Sequence, residues 1–134
     1  MKHKAIEFKP LSGREFPRFS GIKTFFRLPH VSPDEKFDVA LYGIPYDGGV
    51  SYRPGQRFAP SKVRENSSLG RGFHVSRDVQ IFDKLKFADV GDCPTVPIDQ
   101  DQTYARIEEF VTGLCKHKKK MIAVGGDHST TLPF

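Results

Sequence analysis

The sequence contains no tryptophan, only two cysteines and no long apolar run. Because no stretch approaches the roughly 18 apolar residues of a membrane-spanning helix, we expect no contact with a membrane. The positive start of the chain is not followed by an apolar segment, which argues against a secretory signal. Cys93 and Cys115 have no metal-ligand spacing, so we expect two reduced thiols and a cytoplasmic location.

No sign of charge dominates the chain. Its 134 residues include 21 Lys and Arg against 16 Asp and Glu, a formal net charge of +5, and the two signs are interleaved. The basic run from Lys116 to Lys120 follows a predicted helix, where cations complement the helix dipole, although it could also bind phosphate. Base-stacking aromatic residues are not grouped with it, so we expect no nucleic-acid partner.

The chain is rich in phenylalanine, with 12 copies, and 37% of its residues are hydrophobic. This composition and length fit one compact domain. Residues 1–36 combine proline, glycine and basic residues with scattered phenylalanines and have no regular period. They predict an N-terminal arm that lies on the body or is partly disordered. Residues 37–134 form the organised domain.

The hydrophobic pattern of the domain alternates between strands and helices. The predicted strands are 39–42, closed by Gly43, then 85–90, closed by Gly91, and 121–124; the first and the third are expected to be buried. One predicted helix runs from Pro60 to Gly70, and a second begins with Asp101 or Thr103 as its cap. Apolar residues share one face of the second helix: Tyr104, Ile107, Phe110, Val111 and Leu114. The order predicts a parallel sheet with helices on its faces, and residues 71–83 receive no assignment.

The three strand ends share glycine and aspartate. Ligands of parallel sheets bind beyond the carboxyl ends of the strands. The segments there are 43–49, 89–92 and 125–128, and each combines a flexible backbone with a carboxylate. Glycine and aspartate are also ordinary turn residues, so one such segment alone indicates a turn. Three at one edge favour a functional site.

His128 is the candidate metal ligand. Neutral imidazole binds transition metals, and carboxylates complete such sites, but a histidine hydrogen-bonded within the core is equally compatible with the sequence. In an extended chain the Asp127 side chain would point away from His128. We therefore expect Asp127 to support the backbone or the ligand rather than to bind metal.

The remaining candidates do not complete a metal site. No other histidine has a ligand spacing. Asp99-Gln100-Asp101 has a D-x-D pattern, but it precedes a helix and is interpreted as a cap, at the opposite end of the third strand from His128. Either His128 is structural, then, or further ligands lie outside this chain.

The loop from Ser51 to Pro60 could bind an anion through its two arginines. Alternatively, Arg53 and Arg57 pair with carboxylates such as Asp47 and clamp the loop. Composition leaves both possibilities open.

Four separated motifs carry a family resemblance: GIPYDGGVSYRPGQRFAPSKVR, SSLGRGFH, ADVGD and AVGGDHSTTLP. Together with the N-terminal PRFSGIKTFFRLP, they resemble the ureohydrolase (arginase/agmatinase) superfamily, specifically the N-terminal portion of its agmatinase/guanidinobutyrase branch. The resemblance covers residues 16–134.

The resemblance implies an α/β fold, a three-layer α/β/α arrangement with a parallel sheet that is incomplete in this chain. It also implies a homo-oligomer, a trimer or hexamer, and a pair of Mn²⁺ ions that generates hydroxide to attack a guanidinium carbon and release urea. His128 matches the family's first metal ligand, whereas Asp127 matches no ligand. The other ligands and the catalytic residues are expected beyond Phe134.

The leading hypothesis is a hydrolase of a small guanidino substrate, with agmatine, giving putrescine, as the first guess. Guanidinobutyrate, guanidinopropionate and guanidine are alternatives. The 134 residues are expected to be a truncated portion, inactive alone. A non-catalytic oligomerising remnant is the non-enzyme alternative.

Overall fold

The computed structural model describes residues 5–134, so residues 1–4 of the expected arm lie outside the described residues. In chain order the strands are β1 (Val39–Gly43), β2 (Phe73–His74), β3 (Val79–Gln80), β4 (Phe87–Asp92) and β5 (Lys120–Val124). The α-helices are α1 (Ala59–Ser67), α2 (Ile81–Lys84) and α3 (Gln100–Lys116). The main sheet has the order β4-β1-β5, and both pairings are parallel. The predicted parallel α/β fold is confirmed.

The two faces of the main sheet are covered by different parts of the chain. Ala40 and Tyr42 of β1 belong to the same core cluster as three buried residues of α3. On the other face, Leu41 packs with Phe25 and Leu28 of the arm. Burying a phenylalanine such as Phe25 contributes about 1.5–3 kcal/mol, which favours the contact of this part of the arm with the sheet. The sheet therefore lies between two layers, as expected.

Helix α3 follows its predicted amphipathic pattern but begins earlier than expected. Ile107, Val111 and Leu114 are buried. The cap is Asp99, whose carboxylate accepts a hydrogen bond of 2.9 Å from the amide of Gln102. The prediction of Asp101 or Thr103 as the cap was wrong. Thr103 is buried and exchanges hydrogen bonds with the backbone of Val96 instead.

Helix α1 confirms the proline signal at its start. Pro60 lies in the first turn, where its missing N–H costs nothing, and it is buried. The helix ends at Ser67, three residues before Gly70. Turns with backbone hydrogen bonds follow as far as Gly70, whose amide donates to the Ser67 carbonyl at 2.9 Å.

Strand β5 is less buried than its apolar sequence predicts. It lies at the edge of the sheet, and Ile122 keeps 48% of its surface exposed. The expected burial was wrong because only β1 pairs with β5 among the described residues, whereas central β1 is buried throughout. An apolar run shows that a strand is suited to a core, but it does not show which neighbours cover the strand.

Residues 71–83, which received no assignment, form a small antiparallel pairing of β2 with β3 followed by the single turn of α2.

The basic run from Lys116 to Lys120 also makes structural contacts. The Lys119 ammonium donates to the carbonyls of Glu35 and Phe37 at 2.7 and 2.8 Å and lies over the Phe37 ring. In the part of the chain that the structure describes, no helix is long and apolar enough to cross a membrane.

Candidate functional site

A shallow groove lies at the carboxyl edge of the main sheet. One wall is the loop after β1, from Gly49 to Arg53 together with Gln56. The other wall is the segment after β5, Gly126 to Ser129, and the groove has a volume of about 410 Å³. The structure therefore brings His128 beside the arginine-containing loop, as the parallel arrangement of β1 and β5 requires.

Asp127 fastens the two walls of the groove to each other. Its Oδ2 accepts a hydrogen bond of 2.8 Å from the amide of Gly49, and its Oδ1 accepts from the amide and the hydroxyl of Ser129 at 2.9 and 2.5 Å. These contacts make Asp127 the cap of a 3-10 helix, His128–Thr131. The buried carboxylate accepts hydrogen bonds at both oxygens, which agrees with the predicted supporting role.

Gly126 allows this segment to approach the end of β1. A Cβ atom at this position would overlap the carbonyl of Tyr46, which accepts a hydrogen bond of 2.9 Å from the amide of Asp127. Only glycine permits this close approach. This close packing explains why the second position of the GGDHS motif is a glycine.

His128 is exposed and faces the groove rather than the core. Within residues 5–134, its imidazole forms no hydrogen bond. The alternative of a core histidine is therefore wrong. A metal-ligand role fits the free imidazole and stays a prediction.

His128 offers one imidazole and not a complete metal site. Among the described residues, no three His, Cys, Asp or Glu side chains are grouped so that they could hold a metal ion. The carboxylates of Asp47, Asp89, Asp92 and Asp127 at this edge already bind protein groups, so they brace the structure around the groove.

The expected location of the Asp99–Asp101 pair was wrong. Helix α3 starts at the carboxyl end of β4 and runs back to the start of β5, so its first turn lies at the same edge as His128. Burial is the main cause that raises the pKa of the Tyr46 phenol, and the charges of Asp127 and Asp99 add to it. The interpretation of Asp99 as a helix cap is confirmed.

The wall formed by the loop after β1 is clamped by Asp47. This buried carboxylate forms an ion pair with Arg57 and accepts a hydrogen bond of 2.7 Å from the amide of Gly55. The Arg57 guanidinium is the main reason why the pKa of Asp47 lies below its ordinary value. For Arg57 the clamp, rather than anion binding, is confirmed.

Arg53 differs from Arg57. Its guanidinium carbon lies 4.9 Å from the centre of the Tyr52 ring, and no carboxylate among residues 5–134 pairs with it. Anion binding by Arg53 stays a prediction.

Arg64 of α1 is the largest feature that the sequence interpretation missed. Its guanidinium donates to both oxygens of Asp89, at 2.8 and 3.0 Å, and to Asp92 Oδ1 at 2.7 Å. It also lies 4.2 Å from the centre of the Phe25 ring, and the amide of Phe25 donates to Asp89. Arg64 therefore joins α1, the end of β4 and the arm. The signal was its spacing of four residues from Pro60, which places both on the buried face of α1.

Comparisons with known proteins agree with this geometry. The arginase family model matches residues 37–134. The proclavaminate amidinohydrolase of Streptomyces clavuligerus is 40% identical over 87% of this chain, and the guanidinopropionase of Pseudomonas aeruginosa is 41% identical over 94%. The mitochondrial agmatinase of Gallus gallus is 35% identical over 93%. The chain spans 37–40% of the length of these relatives.

Solved structures show the same likeness. The structure of the Streptomyces clavuligerus amidinohydrolase superposes with a TM-score of 0.80 at 39% identity, over 87% of this chain and 39% of that one. A formiminoglutamase variant of Trypanosoma cruzi, solved with Mn²⁺, superposes with a TM-score of 0.64 at 25% identity, over 75% of this chain and 34% of that one.

Proposed function

Since the chain belongs to the arginase family, we propose that it provides the N-terminal part of a metal-dependent amidinohydrolase, which cleaves a guanidino compound into urea and an amine. The observation that carries this proposal is the position of His128. Its free imidazole lies in a groove at the carboxyl edge of the sheet, on a segment that Asp127 braces against the opposite wall.

The proposed cofactor is a pair of Mn²⁺ ions. The exposed imidazole of His128 fits one coordination position, and the rest of the ligand set would come from residues outside 5–134. Such a metal pair, when bound, lowers the pKa of water so that a nucleophile is available near neutral pH. The contribution of Asp127, Gly49 and Ser129 is to fix the backbone on which His128 is presented.

Two kinds of guanidino compound are candidate substrates. Agmatine, which would give putrescine, is the first candidate. A guanidino acid such as guanidinopropionate or guanidinobutyrate is the second, and the higher identity to the guanidinopropionase than to the agmatinase favours it. Free guanidine completes the panel to be tested.

The test has two parts. The coding sequence downstream of Phe134 should contain a D-x-H-x-D segment within about 20 to 25 residues, as the family resemblance implies, with carboxylate and imidazole ligands suited to the metal pair. Urea release should then be measured for the complete protein with each compound and Mn²⁺. An intact coding sequence without further ligands would instead support a non-catalytic remnant.

The 134 residues alone are expected to release no urea, since His128 has no partner ligands among the described residues. We also propose a trimeric or hexameric assembly of the complete protein, to be measured by light scattering after size exclusion. A cytoplasmic location is proposed from the two free cysteines, Cys93 and Cys115.

A further inference from the structure

The loop between β1 and α1 is held at both ends beside His128. At its start the amide of Gly49 donates to Asp127, and at its end the amide of Gly55 donates to Asp47. The segment from Val50 to Pro54 therefore runs between two fixed points, and its residues Val50 to Arg53 line one wall of the groove. The backbone that presents side chains to the groove is thus held at both ends.

Tyr52 is the large apolar side chain in that segment. It keeps 79% of its surface exposed, lines the groove with His128 and belongs to neither core cluster. The Arg53 guanidinium lies over its ring, and the Gln56 side chain donates to the Arg53 carbonyl at 2.9 Å. One face of the ring is thus stacked on a cation held by the loop, while the high exposure leaves the other face open.

We propose that Tyr52 is a specificity-determining residue whose open face packs against the methylene chain of a guanidino substrate. The inference rests on the proposed function, because it takes the guanidinium end of the ligand toward His128. An aromatic ring offers a large, rigid contact area with little loss of conformational entropy, so it suits the apolar middle of such a ligand. Tyr52 would thus select alkylguanidines with a chain of several methylenes over guanidine itself.

The first test uses the complete protein, without added metal, in a titration followed by NMR. The probes are 4-guanidinobutyrate, agmatine and guanidinium chloride, and the Tyr52 ring resonances report contact. The two chain-bearing compounds should shift these resonances, guanidinium chloride much less so. No shift of the Tyr52 ring, or equal shifts with all three compounds, would overturn the proposal whether or not the protein is a hydrolase.

The second test compares Tyr52→Ala with Tyr52→Phe in the complete enzyme. KM for 4-guanidinobutyrate and agmatine should rise about fourfold for each methylene that loses its contact, with little change in kcat. KM for guanidine should stay constant, and the phenylalanine variant should keep the native values. Val75→Ala, which alters an exposed apolar residue between β2 and β3, is the matched control.

The outcomes separate the two proposals. Equal KM changes for all compounds, or an unchanged KM in Tyr52→Ala, would contradict the specificity role while leaving the hydrolase intact. The latter result would indicate that another part of the protein or a second copy covers the ring. Absence of urea from wild-type protein with every compound would contradict the proposed function, and the NMR titration alone would then decide the role of Tyr52.

Discussion

At the scale of single residues, the His128 segment depends on the carboxylate of Asp127. This buried group accepts three hydrogen bonds, from the amides of Gly49 and Ser129 and from the Ser129 hydroxyl. Hydrogen bonds to a charged group contribute more than neutral ones, and a buried donor left without its acceptor carries the full desolvation cost. Asp127, which supports the segment, is thus more constrained than His128 itself.

We expect Asp127→Asn to lower the free energy of unfolding by about 1–3 kcal/mol, because the amide cannot accept at both of its ends. Chemical denaturation of the two proteins measures the difference. Asp101→Asn, which changes an exposed carboxylate in the first turn of α3, should cost less than about 1 kcal/mol. Equal losses in the two variants would show that Asp127 does not brace the groove.

The contacts of Asp47 with Arg57 and the Gly55 amide, which clamp the loop after β1, make the stability of the protein depend on pH in acid. Because Arg57 and the Gly55 amide favour the charged carboxylate, the pKa of Asp47 in the folded protein lies below its ordinary value of 3.8. The unfolded chain then binds more protons near this pH. The clamp therefore contributes its full stability above pH 3.8 and loses it as the pH falls through the lower, folded value.

Melting temperatures measured from about pH 2 to pH 6 should show this loss in the native protein, and a shallower decline in Asp47→Asn. The variant has no charge to lose at this position, so its stability should be lower near neutral pH and less sensitive to acid. Parallel curves for the two proteins would contradict the assignment of the clamp to Asp47.

At the scale of elements, Arg64 links α1 to the end of β4. Asp89 is fully buried, and two of its hydrogen bonds come from Arg64. Removing one partner of a buried ion pair leaves the other charge uncompensated, which is more costly than losing an exposed pair. The contact also carries the arm, since Phe25 meets both partners.

Arg64→Leu should therefore destabilise the protein by about 3–5 kcal/mol, measured by chemical denaturation. Lys62→Leu is the matched control on the same helix, because Lys62 forms an exposed ion pair with Glu65 and should change stability by less than about 1 kcal/mol. A loss below 1 kcal/mol in Arg64→Leu would show that the cluster does not hold α1 to the sheet.

The sequence predicts the elements whose pattern is local. Strand β1 and the buried face of α3 follow from hydrophobic periodicity, and the carboxyl-edge location of His128 follows from the parallel order. The exposure of β5 does not follow from the local sequence pattern, because burial depends on which elements cover the strand. Arg64 was missed since a basic residue on a helix is normally solvated, and its partner Asp89 is distant in sequence.

At the scale of the whole molecule, the arm and the two walls of the groove form one connected structure. Phe25 and Leu28 of the arm pack on Leu41 of central β1, on the face of the sheet opposite α3. At the carboxyl edge Asp127 joins the segment after β5 to the loop after β1. His128 and Tyr52 are thus presented by a braced framework, and the arginase-family match over 37–134 covers both of them.

The most direct test of the central claim is Mn²⁺-dependent urea release by the complete protein, comparing the native sequence with His128→Ala. His74→Ala, an exposed histidine in β2, is the control. The native protein and the control should release urea from at least one guanidino compound. His128→Ala should be slower by more than about 100-fold, beyond the loss typical of a residue that only supports a ligand. Native activity in His128→Ala, or no urea from the native protein with any compound, would contradict the account.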